Sequence, residues 1–246
     1  MVFGVSDTLV SDVVHCFATY LDMFFSKTMP NPTTKQLLRN YPSHFIDMFG
    51  NARIQMLLDC TDQHTQDSSL RQVHSNIFSQ YHAQTGAKFG VGCTPLGCVP
   101  HAWHTEAYGS SISDDMLVNA SEMLALLEAG AIVETDKGFL IENLAAKFGI
   151  QIYRPSTFRD NLKQQGRGNT EKTQTVGNTR IIIEQVNKEG KTEFRLFRGK
   201  FPIQMKDLLT PLMRNGFMMA NFRRPKIIGR SKSEPSLISR ISFPET

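Results

Sequence analysis

An α/β fold with a mixed-sheet core is what this sequence predicts, and three observations carry the prediction. Between residues 53 and 153, short apolar runs of strand length alternate with segments that repeat at helical spacing. Proline or glycine marks the switches, as at Thr94-Pro-Leu-Gly97, Gly130, Gly149 and Pro155. Of 246 residues, 40% are apolar and 20% charged, the balance of an ordinary globular protein and not of a disordered or fibrous one.

The elements follow in chain order. Residues 5–25 predict a helix, because Leu9, Val13, Phe17, Leu21 and Phe24 recur every three or four residues and Ser6 can cap it. The two prolines of Thr28-Met-Pro-Asn-Pro-Thr33 break it, and a shorter helix fits 33–39 ahead of Tyr41-Pro42. Residues 53–59 form an apolar run closed by Asp59, the pattern of a buried strand. Residues 88–93 and 98–105 flank the Thr94–Gly97 turn and predict a hairpin. From Ser113, a helix would put Met116, Ala120, Met123 and Leu127 on one face and stop at Gly130. Residues 131–135 predict a strand with Asp136 directly after it. Residues 140–148 predict a short helix ended by Gly149, and 150–153 a strand halted by Pro155.

The last third is more mixed. Residues 156–175 are polar, lack an apolar period and predict a mobile insertion. Around 179–188, three consecutive isoleucines favour a strand, whereas Val176, Arg180, Glu184 and Lys188 align on one face of a helix. Residues 193–198 look like a strand, and 203–219 like a helix kinked by Pro211. The Ser-, Pro- and Arg-bearing tail beyond Asn221 has little to bury and predicts disorder.

Net charge is +4, and its placement is uneven. The tail from Asn221 holds six Lys/Arg against two Glu, which leaves 21 of each sign in the other 220 residues. Within that neutral body, residues 150–180 hold Arg154, Arg159, Lys163, Arg167, Lys172 and Arg180 against two acids. Two basic stretches suit a polyanionic partner, although solvated loops carry such charge as well. No run approaches the ~18 apolar residues of a membrane span, and the first residues lack a signal-peptide pattern. Four scattered cysteines point to a reducing compartment.

Acids at strand ends are the sharpest chemical signal. Asp59 and Asp136 each close an apolar run, and strand termini are where open sheets present functional groups. Two such carboxylates with a third can hold two Mg²⁺ ions about 4 Å apart for phosphodiester chemistry; acids there also cap helices or start turns. Cys93, Cys98, His101 and His104 are too compressed for a zinc finger, and on a strand the two histidines would point to opposite faces. Phe89-Gly-Val-Gly-Cys93 lacks the third glycine of a dinucleotide loop. Cys60 has no histidine partner in view and reads as buried beside the first strand. Arg180 and Glu184 fit an i,i+4 ion pair.

Four segments taken in order are more specific than any one of them. Leu57-Leu-Asp-Cys-Thr-Asp62, Tyr108-Gly-Ser-Ser-Ile-Ser-Asp114, Asp136-Lys-Gly-Phe139 and Arg180-Ile-Ile-Ile-Glu184 resemble the DDE superfamily endonuclease domain, more narrowly the Harbinger and IS5-like transposases. The resemblance runs from about residue 3 to 221. It implies an RNase H-like fold: a mixed sheet flanked by helices, with an N-terminal helical remnant of a helix-turn-helix. Asp59 then matches the first metal-binding Asp on the central strand, Asp136 the second after a parallel strand, and Glu184 the final Glu on a later helix. That settles the isoleucine run as helix and puts Arg180 one turn from Glu184, where it can meet phosphate or tune the carboxylate.

The same resemblance implies catalysis by Asp59, Asp136 and Glu184 with Mg²⁺ or Mn²⁺, cleaving DNA to a 3′-OH that attacks a target. Arg154, Arg159, Lys163, Arg167, Lys172 and Arg180 become the expected phosphate contacts. Expected domains are a helical region over 1–50, the endonuclease domain over 51–221 and a basic tail over 222–246. Arg223-Arg-Pro-Lys226, with Arg230 and Lys232, fits a nuclear import signal, so the nucleus is the expected compartment. A homo-oligomer and a separate DNA-binding protein are further expected partners, with no membrane. Some positions depart from the family. The chain starts within the expected helix-turn-helix, and Asp7 and Asp12 on the retained helix oppose DNA phosphates. Asp62 stands where the family often has Glu, and His82, after Tyr81, where it often has Lys. The alternative function is therefore a transposon-derived nuclear protein that binds DNA or protein without cutting. A third reading is a decayed copy, only marginally folded without its first helix.

Overall fold

Alternation along one strand organises this protein. In the computed structural model, which describes residues 4–39, 41–43, 45–46, 54–69, 71–79, 83–154 and 167–222, β1 spans Ile54–His64. Met56 and Leu58 face one way and Leu57 the other, and all three are buried. A register irregularity between Ile54 and Met56 turns Ile54 to the same side as Leu57. A strand buried on both faces must sit mid-sheet, and β1 does.

The sheet runs β2 (Phe78–Ser79), β3 (Gln84–Cys93), β1, β5 (Ile132–Glu134), β6 (Gln151–Tyr153), with β4 (Tyr108–Gly109) also pairing β3. β3 lies antiparallel to β1, and Asp59 stands opposite Val91. β5 and β6 run parallel to β1, so the sheet is mixed. Helices cover both faces. α1 (Asp7–Thr28), α6 (Arg167–Thr192) and α7 (Leu209–Ala220) enclose a core of Phe25, Leu57, Phe89, Ile183, Val186 and Phe217. On the other face α4 (Asp114–Ala120) and α5 (Glu142–Lys147) pack Val118 and Ala145 against Met56, Leu58, Trp103 and Val133. Two short helices, α2 (Thr34–Arg39) and α3 (Arg71–Ile77), also lie among the described residues.

The C-terminal helix α7 anchors its neighbours. Gly190 of α6 lets the Phe217 ring approach so closely that an added Cβ would stand 2.5 Å from it. Arg214 donates to both Asp22 carboxylate oxygens on α1, at 3.3 and 3.1 Å, and to Glu106 at 2.8 Å. His101 reaches the same Asp22 at 2.9 Å, and Asn215 donates to the Ala18 carbonyl. Burial opposes ionisation of Asp22, but His101 and Arg214 outweigh it and hold the carboxyl below its usual range. No helix among the described residues is long and apolar enough to cross a membrane.

Several expectations change. β1 continues five residues past Asp59, so that acid lies within a strand and does not close it. The hairpin loses its second arm: the turn forms, with Gly97 donating to Thr94, but only a single bridge, Val91 to His104, follows it. Pro100 has no N–H to pair, and a 3-10 turn at His101–Trp103 drives Trp103 into the core instead. The helix after Ser113 stops at Ala120, where Glu122 takes φ +52°, and it buries Leu117 and Val118 while Met116 is exposed. Residues 193–198 form a 3-10 turn, Arg195–Phe197, because Phe194 and Phe197 pack together from one side.

The break before α7 lies at Met205, and Pro211 fits inside the first turn of α7, whose N–H groups need no helical partner. Residues 167–175, expected as a mobile insertion, belong to α6. The rest of that insertion lies outside the described residues, as do Arg53, Tyr81, His82, Arg159, Lys163 and the tail beyond Phe222 with its Arg223–Lys226 signal, Arg230 and Lys232. On α1, most of the stripe used to predict the helix is exposed; Ala18 and Phe25 are its buried positions.

Candidate active site

Strand register brings the first two acids side by side. Leu57 of β1 pairs with Glu134 of the parallel β5, and Asp59 and Asp136 each follow two residues later. Neighbouring strands lie about 4.8 Å apart, so two acids at equal offsets stand next to each other on adjacent strands. Asp59 points to the α6 side, as Leu57 does, and its Oδ2 accepts a 3.0 Å hydrogen bond from Nδ2 of Asn187. Burial pushes the Asp59 carboxyl from 3.8 up to about 6, against the Cys60 N–H, Arg180 and Asn187, and the like charge of Asp136 adds to the rise.

Helix α6 supplies the rest. Its described side chains begin at Thr179, and 180, 184, 187 and 191 fall on one stripe at spacings of four, three and four. Arg180 Nη1 stands 2.9 Å from Asp136 Oδ1, and its Nη2 stands 3.6 Å from Glu184 Oε1. The guanidinium therefore joins the second acid to the third. Asn187 holds Asp59, and Lys191 donates to the Asp62 carbonyl at 2.5 Å. The adjoining side of α6 carries Ile182, Ile183 and Val186 into the core that also holds Leu57, which keeps the stripe near β1.

Arg180 thus links Asp136 to Glu184, while Asn187 holds Asp59 from the same helix. Among the described residues, no three His, Cys, Asp or Glu side chains form a ready metal cage. Their donor chemistry nevertheless suits a hard divalent cation, being all oxygen. Beside them Glu134 Oε2 and Asn187 Oδ1 are buried without a hydrogen-bond partner among the described residues. Unpaired buried oxygens together with a carboxyl raised by burial are groups that would gain from a cation.

A family comparison bears on this geometry. The sequence model of the DDE superfamily endonuclease matches residues 58–220, from β1 to the end of α7. The chain belongs to the DDE superfamily endonuclease family. No curated protein and no solved structure matches it. The family match spans the mixed sheet and both helical layers, and residues 1–57 lie before it.

Within this endonuclease domain, the other sequence candidates have structural partners. Arg154 makes a close contact with Glu142 and donates to the Lys137 carbonyl at 3.1 Å. His104 is buried between Phe89 and Phe217, and burial lowers it to about 3. His101 serves Asp22, Cys93 is buried, and burial pushes the Cys60 thiol far up, so neither zinc nor thiol chemistry arises there. Arg167 and Lys172 lie on α6, with side chains outside the described set.

Sequence reasoning missed four residues. Glu134 is 1% exposed, accepts the Thr179 hydroxyl at 2.5 Å and is pushed by burial from 4.5 up to about 8. Its signal was available: it lies two residues before Asp136 and so faces the same side. Asn187 and Lys191 lie one and two turns beyond Glu184 on the same helical stripe, which a helical reading of 180–191 would have found. Lys88 was read only as part of a strand. It donates to Asp114 at 3.0 Å and to the Ile112 carbonyl, and ties the Tyr108–Asp114 segment to β3.

Proposed function

We propose that this protein cleaves phosphodiester bonds in DNA, with Asp59, Asp136 and Glu184 as catalytic acids and metal ligands. The observation that carries the reading is the equal offset of Asp59 and Asp136 beyond the Leu57–Glu134 pair, with Arg180 joining Asp136 to Glu184. Family membership supports DNA as substrate and a nuclease reaction. Asp59, Asp136 and Glu184 would hold Mg²⁺ or Mn²⁺. When bound, such ions activate water and neutralise charge on the phosphate oxygens.

The chain's own residues do the rest. Asn187 keeps one Asp59 oxygen oriented, and its hydrogen bond favours the ionised carboxylate that a cation needs. Arg180 sits between two acids and can turn an N–H toward a phosphate oxygen without leaving the site. Arg154, Arg159, Lys163, Arg167 and Lys172 are a basic stretch of the sequence that would supply phosphate contacts, so DNA affinity would fall steeply with salt. We place the protein in the nucleus, on the basic run from Arg223, and a separate DNA-binding protein would supply target choice. A second reading, a transposase-derived protein that binds without cutting, draws on the Arg180 ion pairs, which already satisfy two of the acids.

Nicking of supercoiled DNA by the full chain separates the two. Cleavage with Mg²⁺ or Mn²⁺ that EDTA stops, and that Asp136→Asn and Glu184→Gln abolish, is the expected result. A folded wild-type protein that leaves the plasmid supercoiled with either metal would favour the binding-only reading.

A further inference from the structure

α1 carries two apolar faces and uses one. Ala18 and Phe25 are buried, and Leu21 packs against the same core. The other face shows Leu9 (50% exposed), Val13 (47%), Phe17 (60%), Tyr20 (63%) and Met23 (56%) to solvent. With exposed Cys16, positions 9, 13, 16, 20 and 23 alternate four and three residues, the spacing of a helix-pairing seam, and Phe17 flanks that seam. The two halves of the helix differ as well. Its C-terminal half is seated by Asn215 on the Ala18 carbonyl and by Arg214 on Asp22, whereas residues 7–17 are exposed apart from half-buried Val14. Three unsupported turns with an apolar seam are marginal alone in water.

We propose that α1 is a homodimerisation arm, pairing antiparallel with α1 of a second copy. Each protruding N-terminal half would then lie on the exposed seam of the other copy's seated C-terminal half. A pair centred near residue 18 sets Val13 against Met23 and Cys16 against Tyr20 of the second copy. Charge selects this direction. Asp7 and Asp12 are the acids of the protruding half and Lys27 the base of the far end, so antiparallel pairing sets Lys27 opposite Leu9 of the other copy and within one turn of its Asp12. Parallel pairing would instead stack like charges. The area also suffices: the exposed seam offers about 600 Å² per copy, or about 1,200 Å² for the pair, within the range of stable interfaces. DNA is a poor occupant, because the protruding half holds two acids and no Lys or Arg.

Sedimentation equilibrium of the full chain tests this. A dimer near twice 27.7 kDa is expected, with Phe17→Glu weakening association at least about tenfold and leaving the melting temperature of the monomer unchanged. Lys27→Glu should also weaken it, and adding Asp12→Lys to that variant should restore it. A benzophenone on Cys16 should cross-link two chains. A protein monomeric at every concentration overturns the proposal, as does a dimer indifferent to Phe17→Glu. Cross-linking of Cys16 only within one chain, to residues 223–246, would give the seam to the chain's own tail and overturn it equally.

Discussion

Glu134→Gln should remove a loss of stability that the wild-type protein suffers as pH rises from 6 to 9. Glu134 is buried, one carboxyl oxygen accepts from Thr179, and the other has no partner among the described residues. Burial raises its carboxyl from 4.5 to about 8, against the Thr179 bond and Arg180. An acid with a raised folded-state value keeps its proton in the folded chain while the unfolded chain has lost it. Stability therefore falls with rising pH through that interval, and the fall is complete above about 8. At about 1.4 kcal/mol per pH unit, the two units between pH 6 and 8 bound the effect at about 3 kcal/mol. Asp59 has the same sign, but its interval of 3.8 to about 6 ends where this one is measured. Glutamine keeps the acceptor for Thr179 and has no proton to lose. Urea unfolding at pH 6, 7, 8 and 9 in EDTA, on both proteins, reads the difference directly. Wild type should lose about 2–3 kcal/mol that the variant keeps. Parallel curves for the two proteins would refute the reasoning.

Three more predictions concern the parts around that group. Gly190→Ala puts a Cβ 2.5 Å from the Phe217 ring and should cost about 2 kcal/mol, read as a lowered melting temperature; a loss below about 0.5 kcal/mol would contradict the packing. Arg214→Ala leaves Asp22 half-buried without its guanidinium and should cost about 3 kcal/mol near neutral pH, with the gap to wild type narrowing as pH falls through 3.8; a pH-independent gap would count against it. Asn187→Leu removes a bond that favours ionised Asp59, so the acid limb of a pH–rate profile for cleavage should move to higher pH. An unmoved limb with reduced rate would assign Asn187 a packing role only.

The parts of the fold legible in the sequence are those whose apolar pattern and punctuation agree. β5, α5 and β6 are such a run, because Gly130, Gly149 and Pro155 mark their ends, and both glycines take positive φ. β1 beyond Asp59 was not legible. Its buried side chains there, Thr61 and Gln63, are polar, and Gln63 bonds the distant Gly199 carbonyl, so no apolar alternation betrays the strand. The isoleucines 181–183 show tertiary context overriding propensity: two of them are buried in the core while Ile181 faces out, a helical arrangement. For the candidate site, Asp59 and Asp136 stood out as acids after apolar runs. Glu134 and Asn187 share a face with Asp136 and Glu184 by spacing alone, but that they are buried there depends on what packs on them. α1 was legible as a helix but not in its orientation, since both of its faces are apolar.

In the proposed function Asp59, Asp136 and Glu184 form one cation site between β1, β5 and α6. Mn²⁺ titration of the full chain, followed by electron paramagnetic resonance at pH 7.5, tests it without relying on cleavage. Saturable binding to the wild-type protein, weakened at least about tenfold by each of Asp59→Asn, Asp136→Asn and Glu184→Gln, is the predicted result. Equal Mn²⁺ binding by the wild type and all three folded variants would contradict it.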